Sequence, residues 1–145
     1  MKTNFRHTAI TAALGFALFG IGLAQAAPLP PMQKADGIEF MTGGIGEGQS
    51  SAMENEGRHW PLMLEFATRD HAKSDFAANV KVMVKDAKGH TVLDTTSSGP
   101  FLLARLDPGQ YTVDATFAGK TMQQKVEVGK TPTRHLFLWP QGTGE

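Results

Sequence analysis

Cysteine is absent from this 145-residue chain. That excludes disulfides, thiolate metal sites, cysteine redox chemistry and the lipidated cysteine of a bacterial lipoprotein. An excess of either charge is also missing, since 14 basic residues face 14 acidic ones. Without a clustered basic surface there is no reason to expect nucleic acid as a partner. Aromatic residues that could form a sugar-stacking platform are few, with two Trp and one Tyr. No apolar run reaches the roughly twenty residues of a membrane-spanning helix. The longest, Ala9 to Leu23, is interrupted by Gly15, Gly20 and Gly22.

What is present begins with an export signal. Lys2, Arg6 and His7 form a basic start, the apolar run follows, and Ala24-Gln25-Ala26 offers the small-x-small pattern that signal peptidase accepts. Residues 1–26 are therefore expected to be removed, which places the mature protein in the periplasm or outside the cell with no membrane span. Taking Lys2 and Arg6 from the 14 basic residues leaves 12 against 14 acids, so the mature chain stays close to neutral. Its length suits one domain.

Residues 27–57 read as a Pro/Gly-rich leader. Ala27 to Lys34 carries three prolines and favours an extended tether. Gly37 to Thr42 is a short strand candidate, and Gly43 to Gly48 is a glycine-rich connection of unassigned role. Ser51-Ala52-Met53-Glu54 has capping-box spacing and predicts a helix of one to two turns from Ala52 to about Glu56, ended by Gly57.

From residue 58 the apolar period is two. Leu62 to Ala67, Val80 to Lys85, His90 to Thr96, Phe101 to Leu106, Gln110 to Phe117, Thr121 to Val128 and Arg134 to Trp139 alternate as strands. Asp86 to Gly89, Ser97 to Pro100, Asp107 to Gly109 and Ala118 to Lys120 supply the breaks between them. Seven strands at this spacing predict an all-β, single seven-stranded antiparallel sandwich over 58–140, with 141–145 as a tail. Pro108-Gly109 predicts a type II turn with positive φ at the glycine. Tyr111 is placed to bond a backbone group upstream in the manner of a tyrosine corner.

The phrase Phe101 to Val113, with Leu106, Pro108, Gly109 and Tyr111 at its turn, resembles the transthyretin-like, carboxypeptidase regulatory-like domains. In these a Phe-x-x-x-x-Leu-x-Pro-Gly-x-Tyr-x-Val phrase joins two strands. Val82-Met83-Val84, Asp86, Gly89 and Val92 match the hairpin that precedes it there. The resemblance covers about Leu62 to Trp139 and implies an Ig-like sandwich. The whole chain is also similar to exported bacterial proteins in which a Thr-Gly-Gly-Ile-Gly phrase, here Thr42 to Gly46, precedes such a domain.

Catalytic patterns are not found. The residues three after His59, His71, His90 and His135 are Leu62, Ser74, Leu93 and Leu138, so the His-x-x-Glu zinc pair of the associated peptidases is missing, as is His-Glu-x-x-His. Gly48-Gln49-Ser50-Ser51-Ala52 lacks the second glycine of a nucleophile elbow. The methionines carried past residue 26 are scattered, without the Met-x-Met clustering that copper would call for. The expectation is a non-catalytic domain without cofactor, acting as a protein-interaction or accessory module in the cell envelope. The alternative is a module that binds a small ligand or carbohydrate. Arg134 to Trp139 is apolar on both faces, so Phe137 and Trp139 are candidates for a partner surface, and Phe101 to Leu106 has the same character. Two-sided strands need a second cover. Ile38, Phe40, Met41, Ile45 and Met53 are the expected brace.

Overall fold

The computed structural model describes residues 27–145; the expected export signal lies outside the described residues. These residues form ten strands and one helix: β1 (Gln33–Ala35), β2 (Ile38–Gly43), α1 (Glu47–Gly57), β3 (Leu62–Asp70), β4 (Lys73–Phe76), β5 (Val80–Asp86), β6 (Thr91–Ser97), β7 (Phe101–Ala104), β8 (Gly109–Phe117), β9 (Lys120–Val128) and β10 (Thr133–Trp139). The strands make two sheets, so the chain is a mostly β, two-layer structure. Sheet A runs β1-β2-β7-β3-β10 with β4 paired to β3, and sheet B runs β6-β5-β8-β9.

Alternating side chains of both sheets fill the space between them. Leu62, Leu64 and Phe66 of β3, Val80, Val82 and Val84 of β5, Val113 and Ala115 of β8, and Phe137 and Trp139 of β10 belong to one buried cluster. Burying such aliphatic side chains is worth about 1.5–3 kcal/mol each before entropy is subtracted, and it replaces the disulfides the chain lacks.

Three expectations are corrected. The strand count is ten, not seven, because Gln33–Gly43 and Lys73–Phe76 also pair into sheet A. The sheet boundary therefore lies well before residue 58. The sandwich is not purely antiparallel, since β10 lies parallel to β3, with Phe137 opposite Phe66. An alternating pattern dictates which side chains face inward; it carries no information on strand direction. Helix α1 begins at Glu47 instead of Ala52, with Gly46 (φ 84) at its N-cap and no side-chain cap, so the Ser51 capping box is not used.

The leader is built into the fold. Asp36 (φ 49) and Gly37 (φ 83) form a two-residue turn that pairs β1 with β2. Strand β2 then extends sheet A beyond β7, with Met41 opposite Leu103 and Gly43 opposite Phe101. Helix α1 lies over the outer face of this sheet. Met41, Met53, Trp60, Met63, Phe101 and Leu103 form a second buried cluster beneath it. All four residues of β7 are buried, as its two-sided apolarity requires. Met41 and Met53 cover the outer face as the brace requires; Phe40 is instead buried in the core between the sheets with Ile38 packed against it, and Ile45 is 65% exposed.

Candidate interaction surface

The Pro108-Gly109 phrase sits where β7 of sheet A hands over to β8 of sheet B. Leu106 is buried in the main core, and the Tyr111 hydroxyl donates to the Asp107 carbonyl at 2.6 Å. Burial, with the charges of Asp107 and Asp86, holds the Tyr111 hydroxyl above its ordinary pKa and so keeps it a donor. Gly109, however, has no positive φ; it opens β8 opposite Val128. The type II turn is corrected on that ground. The earlier hairpin forms as expected, and the Asp86 carboxylate accepts from the Lys88 and His90 amides at 2.9 Å while Gly89 takes φ 83. Both motifs are occupied with holding strands together.

The first two residues of the glycine-rich phrase are closely packed, since an added side chain would collide with Pro30 at Gly43 and with Phe101 at Gly44, while Gly46 is open. Buried Thr42 bonds Ser98 at 3.1 Å, and a side chain at Gly99 would collide with the backbone of Gly43. The Gly44 amide donates to Gln49 at 2.9 Å, which fixes the entry to α1.

Phe137 and Trp139 do not form a surface. They are 0% and 1% exposed, in offset contact with Phe66, and Trp139 donates its indole N–H to the Lys120 carbonyl. With the backbone parity of β10 fixed by β3, His135, Phe137 and Trp139 face inward, whereas Arg134, Leu136 and Leu138 face outward. Trp60 is also fully buried; its indole donates to Glu56 and its ring lies 4.2 Å from the Arg105 guanidinium.

What stays open is the outer face of sheet A beyond the reach of α1. The cross-strand register sets Leu138, Ala67 and Phe76 in one row and Leu136, Glu65 and Phe101 in the next. Phe76 is 54% exposed and Leu136 46% exposed. Phe76 stands edge-on to Phe101 with ring centres 5.5 Å apart, so the aromatic pair offers an edge and not a flat platform. Arg134 borders the patch, bonding Glu65, pairing with Glu54 at 3.5 Å and lying 5.9 Å from the Phe101 ring. Burial works against its charge, but the Glu65 bond and the two carboxylates raise its pKa above the ordinary value. No sequence signal distinguishes Phe76, because its strand is short and mostly polar; register alone places it in one row with Ala67 and Leu138.

Two other concavities are lined mainly by polar residues. A depression of about 550 Å³ is lined by Lys85, Asp86, Tyr111, Lys125 and Glu127 among others. The outer face of sheet B has another, where Thr116 bonds Thr121 at 2.7 Å and Gln123 bonds Asp114 at 2.8 Å. Among the described residues no three His, Asp or Glu side chains are grouped to hold a metal ion, and no helix is long and apolar enough to cross a membrane. The chain matches no family model, and no curated protein matches it.

Proposed function

We propose that this chain is a non-catalytic, exported β-sandwich domain of the transthyretin-like or carboxypeptidase regulatory-like kind that serves as a protein-interaction or accessory module in the periplasm or at the cell surface. The observation that carries this reading is the pair of exposed apolar side chains Phe76 and Leu136 on the outer face of sheet A, with half-buried Leu138 and buried Ala67 beside them, beyond the part that α1 covers. Exposed apolar side chains collected on a flat sheet face suit a protein partner. Burial of both tryptophans favours a protein over a sugar, which would use exposed aromatic faces.

Site-specific photo-crosslinking tests the proposal in cells that export the protein. A photoreactive residue at Phe76 or Leu136 should give discrete protein adducts, while one at Thr96, on the outer face of sheet B, should not. Equal labelling at all three positions would refute it. The export half of the reading is tested by intact mass of the periplasmic protein, which should begin at Ala27.

A further inference from the structure

We propose that the open edge of β4 joins two copies of this chain, β4 pairing antiparallel with β4 of a second copy about a twofold axis at Ser74. This names the partner of the surface proposed above and rests on that reading. Strand β4 is bonded only to β3, and all four of its residues are exposed. It lies on the same side of β3 as β7, since β3 pairs with β7 through Leu62–Glu65 and with β4 through Ala67–Asp70. Beyond β7 the sheet continues into β2, but β2 ends at Gly43 and Gly44 (φ 98) turns the chain away toward α1. The lane beside β4 is therefore empty among the described residues, and the backbone N–H and C=O groups of β4 that point away from β3 are free to accept another strand.

The short sequence Lys73-Ser74-Asp75-Phe76 selects both occupant and register. An antiparallel ladder centred on Ser74 sets Lys73 of each copy against Asp75 of the other, and neither residue makes an ion pair among the described residues. On the opposite face it brings Phe76, at the end of β4, toward the turn residue Ala72 just before β4 of the second copy. The apolar row of Leu138, Ala67 and Phe76 is thereby extended across the junction. Centring the ladder on Lys73 or Asp75 would oppose like charges, which destabilises a pair of strands. A one-residue slip would bring the outer face of one copy onto the inner side of the other. Charges on an edge usually discourage pairing, but this set complements itself in a single register.

The absence of cysteine makes the test direct. Opposed Cα atoms in an antiparallel ladder are about 4.5–5.5 Å apart, within disulfide reach. Ser74→Cys places a lone thiol on the axis, and mild oxidation of the otherwise intact mature protein should give a covalent dimer. Its yield should exceed that of a Thr96→Cys control by at least about tenfold, because paired thiols meet at high effective concentration. Adding Lys73→Glu should abolish that excess, and Lys73→Asp combined with Asp75→Lys should restore it. Circular dichroism confirms that these exposed substitutions leave the fold intact. Equal yields from the two thiols, or a yield indifferent to Lys73→Glu, would overturn self-pairing. If a photoreactive residue at Phe76 captures a different protein while the Ser74 thiol stays unpaired, the surface stands and the self-partner falls. If neither position reports a neighbour, both fall.

Discussion

Tyr111 and Gly109 stand two residues apart in one phrase, and the structure gives them unequal tasks. The Tyr111 hydroxyl ties the start of β8 back to Asp107, and losing one such bond costs about 1 kcal/mol. Tyr111→Phe should lower stability by about that amount in denaturant melts. Gly109 has no positive φ, and an added Cβ would meet only the Tyr111 ring at 3.8 Å or more. Gly109→Ala should therefore melt within about 0.5 kcal/mol of the parent, the range of an unremarkable surface substitution. A larger loss would reinstate a strained turn. The strained residue is instead Ala118, which holds φ 48 beside Gly119 at φ 78 in the tight turn from β8 to β9. Asn tolerates that region far better and Asn-Gly is the favoured pair for such a turn. Ala118→Asn should raise stability by about 0.5–1 kcal/mol, read as a higher melting temperature.

At the scale of elements, the question is what makes β7 tolerable with apolar side chains on both faces. Its inner face meets sheet B through Leu102 and Ala104, and its outer face lies under α1 through Phe101 and Leu103. Trp60 closes that outer cluster, and Trp60→Ala should cost about 3–5 kcal/mol, as for other buried aromatics. Removal of residues 27–57 takes away both the neighbouring strand β2 and the cover α1. The truncated chain should keep its β-sheet circular dichroism yet associate or aggregate, measured by light scattering. A monomeric truncated protein melting at the full-length temperature would show that the brace contributes nothing. Strand β10 also carries apolar residues at both parities, with Leu136 and Leu138 on one face and Phe137 and Trp139 on the other. Strand β10 buries only one face, because α1 does not extend over Leu136.

For the whole molecule, two of the described groups, His135 and Asp86, tie stability to acid. Burial among inward-facing neighbours lowers the pKa of His135 below its ordinary 6.5. Because the folded form binds the proton less readily, this contribution is complete above pH 6.5 and declines as pH falls from there toward the folded value. Asp86 is held below its ordinary 3.8, first by the His90 amide and also by that of Lys88, with burial opposing. Its contribution is lost only as pH falls below 3.8. The melting temperature should thus begin to drop below about pH 6.5, and His135→Gln should remove that first decline while leaving the one at lower pH. An unchanged profile would show that His135 does not govern it. How much of this molecule was legible beforehand follows from what kind of information each feature needs. The alternation of Val80 to Lys85, the Asp86 to Gly89 turn and the Tyr111 tie are local in the chain, so period and turn chemistry alone gave two β layers around an apolar core. The Asp36-Gly37 hairpin is equally local, but the prolines just before it read as an extended leader and mask its strands. The parallel partnership of β10 with β3, the burial of Phe137 and Trp139, and the open row at Phe76 rest on pairings between residues far apart in sequence. A two-residue period states that a strand has two faces, but only the packed sheets decide which neighbour lies beside it and which face a helix leaves uncovered.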